Sequence, residues 1–245
     1  SSCRGGVVSM ISVWPGVASL SVVGLILGWL GDVSWLIKFM LGVFVMAFLG
    51  WVVEDQINVS NIGMCSREGD SGVQIGVGLF IFSESMLFGS LLGSAMYTAA
   101  DWDAAVSITL QEVPVLMSMV LLSSGVVITV AHQSLISGNV SGAGVWLGAT
   151  LVLGGIFILI QMEEWGGNWF SVGSGLSGSV FYLITGFHGL HVIVGCWFIL
   201  LLWVLFGFAG LGVLSWWKVE GAIWYWHFVD VVWLFVLVMV YWYLM

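Results

Sequence analysis

The chain has 245 residues, of which 60% are hydrophobic and 7% charged, and its mean hydropathy is +1.13. That leaves too little polar surface for a soluble globule of this size, so the composition points to a polytopic membrane protein. The formal charge of −9 comes from thirteen acids against four Lys and Arg; the acids are scattered rather than gathered into a patch, and no nucleic-acid partner is expected.

Apolar windows long enough for ~20 helical residues, the length that crosses ~30 Å of hydrocarbon, lie at 13–30, 35–53, 73–100, 113–136, 142–162, 178–205 and 221–244. The expected fold is all-α, a seven-transmembrane-helix bundle, with residues 1–245 forming a single integral-membrane subunit. Gly31 and Asp32 separate the first two spans, and Pro114 falls where a helix start tolerates its missing N–H. Residues 137–141 read as a polar turn and 166–175 as a glycine-rich loop. The polar stretch 54–72 divides a two-helix hairpin (13–53) from a five-helix group (73–244). The 34 glycines and two prolines suit helices packed closely in lipid, where small residues let backbones approach. Cys3, Cys65 and Cys196 are odd in number and irregular in spacing, which implies no disulfide framework and no metal cage. The opening SSCRGG lacks an initiator Met, and neither a basic n-region nor a small-residue cleavage site precedes the first span, so a leader already removed or an untypical start is expected.

Seven spans put the termini on opposite sides. Arg4, Arg67 and Lys218 then share the N-terminal side, with Lys38 alone near the other, which favours an inside N-terminus. At ~1.5 Å of rise per residue, Glu84, His188, His191, His227 and Asp230 all come out ~10–16 Å below the N-terminal surface. This polar layer draws on the third, sixth and seventh spans. His132, near the end of the fourth, sits closer to the inner surface.

Ionisable groups at such depth are costly and need partners. Glu84, in GLFIFSESMLFG, reads either as a proton-relay carboxylate or as a structural hydrogen-bonder. His188 and His191, three apart, project to one side of their helix; they read as a haem or metal pair, or as two histidines satisfied across a packed interface. Glu220, Trp224, His227 and Asp230 share a helical face that could hold a lipid headgroup, seat a neighbouring helix or relay protons. Of the sixteen tryptophans, those near span ends, such as Trp51, Trp216 and Trp217, read as interfacial anchors. Glu163 and Glu164, beside Trp165, read as an ordinary interfacial boundary. The sequence contains no phosphate loop, nucleophile elbow or H-E-x-x-H helix, and no catalytic residue is assigned.

The strings LFIFSESMLF (79–88), EVPVLMSMVLLSSGVVITVAHQSL (112–135), TGFHGLHVIVG (185–195) and WYWHFVDVVWLF (224–235) resemble subunit III of the haem-copper cytochrome c oxidases, in order, over about residues 73–243. The resemblance implies a pair and a group of five helices separated by a lipid-filled V-shaped cleft. It implies docking beside the catalytic subunit I and other complex IV subunits, which hold haem a and copper, with no redox centre or metal in this chain. The role implied is an accessory one: stabilising subunit I, supporting proton uptake and binding phospholipid in the inner mitochondrial membrane, N-terminus on the matrix side. Glu84 matches the family's buried carboxylate, and His132, His188, His191, Glu220, Trp224, His227 and Asp230 its polar positions. The chain departs from the family at 51–58, WVVEDQIN, which lacks the usual arginine; at His132–Gln133, where the family has a His pair; and in ISGN, where it has a basic loop. Trp51, Arg67, His132, Glu220 and Trp224 are the lipid-cleft candidates. The competing readings are a free-standing membrane b-type cytochrome using His188 and His191, and a proton-coupled transporter, for which neither an inverted repeat nor broken helices are evident.

Overall fold

The structure, a computed structural model, describes residues 12–62, 67–98, 112–168, 170–209 and 216–243. Among these described residues there are seven helices: α1 (Trp14–Leu30), α2 (Ser34–Ile62), α3 (Arg67–Tyr97), α4 (Val113–Ile136), α5 (Val140–Gly167), α6 (Gly175–Ala209) and α7 (Trp216–Val236), whose winding widens into a π-helical end at Leu237–Tyr243. No strand occurs among the described residues. Six helices are long and apolar enough to cross a membrane, and α1, with 17 residues, is a shorter apolar helix. These helices make the chain a helical membrane protein.

Local chemistry sets several helix ends. Pro114 occupies the first turn of α4, where no intrahelical N–H bond is lost. Asn139 caps α5, its side chain accepting from the Gly142 N–H at 3.1 Å, just after Gly138 turns the chain at φ 78°. Elsewhere the helices outrun the apolar windows. The α2 backbone stays helical to Ile62 and α3 starts at Arg67, inside the stretch that the sequence reads as a polar divider. Hydropathy marks depth in lipid, whereas a helix continues wherever its backbone bonds close. For the same reason α5 reaches Gly167, and α6 starts at Gly175.

The chain forms two compact units, Ser1–Arg67 and Glu68–Met245. In the first, α1 and α2 make a hairpin through Asp32, which adopts φ 52°, a left-handed conformation that Asp tolerates better than most side chains. Gly24 and Gly28 are buried one turn apart on α1. A Cβ on Gly24 would stand 2.7 Å from Met40 Cγ, and one on Gly28 3.0 Å from Ile37 Cγ1, so these glycines set the close approach of the two backbones.

In the second unit α7 is central: 56% of its span is buried, against 11% for α3. Trp226 and Trp233 are fully buried, together with Phe157, Phe181, Met117 and Leu121. Trp226 lies between two glycines of neighbouring helices. A Cβ on Gly154 of α5 would stand 2.8 Å from Trp226 Cη2, and one on Gly195 of α6 2.9 Å from its Cε3.

Candidate functional site: paired polar side chains in the five-helix unit

Glu84 of α3 meets His191 of α6, with Oε2 and Nε2 3.1 Å apart. The other ring nitrogen of His191, Nδ1, donates to the Phe187 carbonyl at 2.7 Å, one helical turn back, because a carbonyl can only accept. Phe88 sits edge-on to the imidazole at 4.9 Å and Tyr225 of α7 lies nearly parallel to it at 6.4 Å. His191 is buried, and the Glu84 side chain keeps 22% of its exposure.

A second set of contacts joins α7 to α4, antiparallel to it. Glu220 Oε1 lies 3.2 Å from His132 Nε2. His227 Nε2 approaches Thr129 Oγ1 at 3.5 Å, and the Thr129 hydroxyl donates to the Gly125 carbonyl at 2.8 Å, so the ring nitrogen is the donor toward Thr129. The Asp230 carboxylate presses on Gly125, where any Cβ would collide with Oδ2; Asp230 is buried and its Oδ1 has no hydrogen-bond partner. Interleaved with these are two indole bonds, Trp226 Nε1 to Ser124 Oγ at 3.0 Å and Trp233 Nε1 to Ser118 Oγ at 2.9 Å. Descending α7 from Glu220 to Trp233 thus matches ascending α4 from His132 back to Ser118.

His188 takes a third direction. It is completely buried, donates from Nε2 to the Val229 carbonyl of α7 at 3.3 Å, and packs against Phe157 and Trp233 with ring centroids 5.6 and 4.9 Å away. The five groups read from sequence as one layer on three helices are therefore divided: Glu84 and His191 join α3 to α6, His188 joins α6 to α7, and His227 and Asp230 face α4. Trp224 departs from the stripe drawn for it, being 43% exposed. It stands at the edge of the arc that Glu220, His227 and Asp230 occupy, and the arc is wider than the α4 contact. Trp51 of α2 is 45% exposed, and the side chain of Arg67 lies outside the described residues. Among the described residues no group of three or more His, Cys, Asp or Glu is placed to hold a metal ion.

Sequence reasoning missed three features. Trp226 and Trp233 are core residues hydrogen-bonded across the α4–α7 seam. Ser118 and Ser124, whose hydroxyls donate to the Pro114 and Leu121 carbonyls of their own helix, accept the indole bonds only because that seam exists, and an apolar helix with scattered serines gives no local sign of it. Glu164 is more than a boundary residue: its Oε2 accepts from Gln161 Nε2 at 3.0 Å and from the Tyr241 hydroxyl at 2.9 Å. The i, i+3 spacing of Gln161 and Glu164 was the available signal.

The fold and these contacts define a class: a polytopic helical membrane protein whose ionisable side chains meet partners from neighbouring helices inside the bundle. The sequence model of the family described as cytochrome c oxidase subunit III matches residues 7–245. This chain belongs to that family. It is 34% identical over 248 residues to cytochrome c oxidase subunit 3 of Heterololigo bleekeri, covering 95% of each chain. The subunit 3 of Emericella nidulans is 38% identical over 166 residues, covering 63% of this chain and 62% of that one. That of Papio hamadryas is 34% identical over 181 residues, covering 70% and 69%.

Proposed function

We propose that this chain serves as the accessory third subunit of a respiratory cytochrome c oxidase, seated on the catalytic subunit I among other complex IV subunits. Its work there is mechanical and electrostatic: it stabilises subunit I during turnover and supports proton uptake, while haem a and copper stay in neighbouring subunits. The observation that carries this reading is the engagement of the histidines. Both ring nitrogens of His191 and Nε2 of His188 are taken by groups of this same chain, and His188 Nδ1, which has no partner, belongs to a completely buried ring, so axial haem ligation, the basis of a b-type cytochrome, would have to break those bonds or open the packing around Phe157 and Trp233.

Phospholipid is the proposed ligand of the two-helix unit. A groove there is lined by Trp14, Val17, Lys38, Phe39 and Met46, and a single cation beside apolar walls suits a lipid with an anionic headgroup. The inner mitochondrial membrane is the proposed location, with the N-terminus on the matrix side, in line with the basic residues Arg4, Arg67 and Lys218.

The test is to purify the chain with whatever assembles around it and to follow oxygen consumption over many turnovers. Haem a and copper are expected in the assembly. Glu84→Ala is expected to assemble and then lose activity faster during turnover than the parent. A Soret band from the isolated chain, proton flux by it alone in liposomes, or unchanged inactivation kinetics in the variant would count against the proposal.

A further inference from the structure

Gln161, Glu164, Trp165 and Asn168 follow one another at the end of α5 with the spacing that puts four side chains on one helical face. Each carries a buried polar atom without a hydrogen-bond partner: Gln161 Oε1, Glu164 Oε1, Trp165 Nε1 and Asn168 Nδ2. Gln161 itself is only 3% exposed. Its amide nitrogen donates to Glu164 Oε2, and this fixes the orientation of the amide, leaving the oxygen on the other side. Tyr241, from the π-helical end of α7, donates to the same carboxylate oxygen, so Glu164 Oε2 is already served and Oε1 is not. On the α6 side the Tyr182 hydroxyl lies within hydrogen-bond distance of the Phe170 carbonyl at 3.0 Å and the Trp165 carbonyl at 3.3 Å, and so is spent on the turn.

We infer that this face of α5 binds ordered water, which joins the ends of α5 and α7 beneath the α5–α6 turn. Buried polar atoms without partners are costly, and native proteins rarely keep them. The four atoms demand both kinds of hydrogen bond, for two are oxygens and two are N–H donors. A metal cation would meet the indole and amide N–H groups as misdirected donors, and an anion would meet the two oxygens. Water both donates and accepts, and a buried water commonly makes about three such bonds. The site lies wholly within this chain, so the inference does not rest on the oxidase role.

A density map at a resolution that shows ordered water, taken of whatever intact assembly the chain purifies with, tests it directly. At least one water is expected within about 3.2 Å of two or more of the four atoms. In Trp165→Phe, which removes only the indole and its N–H donor from that set, the water nearest residue 165 is expected to shift or vanish while the Gln161–Glu164–Tyr241 bonds persist. The inference is overturned by a dry site in which the four atoms close on one another, on lipid or on a partner side chain. It is equally overturned by a cation centred on the oxygens with the N–H groups turned away, or by water unmoved in the variant. Should Trp165→Phe not assemble, the map of the parent decides alone.

Discussion

Glu84 of α3 and His191 of α6 meet carboxyl to imidazole, with Oε2 and Nε2 3.1 Å apart. Nδ1 of the ring carries a hydrogen, since it faces the Phe187 carbonyl at 2.7 Å, and the 3.1 Å contact of Nε2 with Glu84 Oε2 is a hydrogen bond only if one further proton lies on it. Placed on the glutamate or on the imidazole, that proton leaves the pair with no net charge. Such a pair can sit within a membrane-spanning bundle where a lone carboxylate would be costly.

The pair is expected to behave as a unit on mutation. Glu84→Ala strands Nε2 and His191→Leu strands the carboxyl, each at a cost of about 1–3 kcal/mol for the buried group left behind. The double variant is expected to be less damaged than the two single losses combined, with a coupling of about 0.5–3 kcal/mol. Thermal inactivation midpoints of the four proteins would measure this, and strictly additive losses would deny that the two residues interact.

Gly125 is expected to reject even alanine. Its added Cβ would run into the Asp230 carboxylate, and overpacking of this kind costs about 1–3 kcal/mol. In an Asp230→Ala background the obstacle is gone, so the penalty for Gly125→Ala is expected to shrink. Comparing the assembled yield of the two pairs checks it; equal penalties in both backgrounds would place the strain elsewhere.

Trp226 needs glycine on both sides. Alanine at Gly154 would bring a Cβ within 2.7 Å of Cys196 Sγ and 2.8 Å of the indole, alanine at Gly195 within 2.9 Å of the indole, and α5 or α6 would have to move back. Each substitution is expected to lower the thermal midpoint, whereas alanine at Gly155, where an added Cβ meets nothing within 4 Å, is expected to leave it almost unchanged. A fall at Gly155 as large as at Gly154 would show that the loss reflects alanine itself and not the indole.

The serines of α4 are expected to matter more than their size suggests. Ser118→Ala and Ser124→Ala leave the indole N–H groups of Trp233 and Trp226 without acceptors, and hydrogen bonds between membrane helices have measured worths of about 0.6 kcal/mol on average and up to about 1.7. Ser90→Ala, on an exposed position where the hydroxyl bonds only to Leu87 O of its own helix, is the control. Stability in detergent distinguishes them, and equal effects at all three positions would remove the case for the indole bonds.

Much of the architecture was legible in the chain. The break at Gly31–Asp32, the first-turn Pro114 and the turn that begins at Ser137 each follow from local chemistry, although α5 starts at Val140, before the expected end of that turn at Ser141, and the apolar windows located the helices. Their polar extensions escaped: nothing in the hydropathy of 54–62 separates a helix emerging from lipid from a loop. Glu84, His132, His188, His191, Glu220, His227 and Asp230 stood out because they are ionisable residues in apolar helices. Trp226, Trp233, Ser118 and Ser124 did not, since each is ordinary for a membrane helix when taken alone.

By itself the sequence determined that this is an all-helical membrane protein, where its apolar helices lie, and which side chains would need a partner at depth. Those are properties of composition and of the helical period, and both are local. Only the tertiary structure decided that Glu84 meets His191, that Glu220 meets His132, and that Asp230 presses on Gly125. Such choices depend on the rotation and vertical register of one helix against another, and that register is set by contacts such as Trp226 between Gly154 and Gly195.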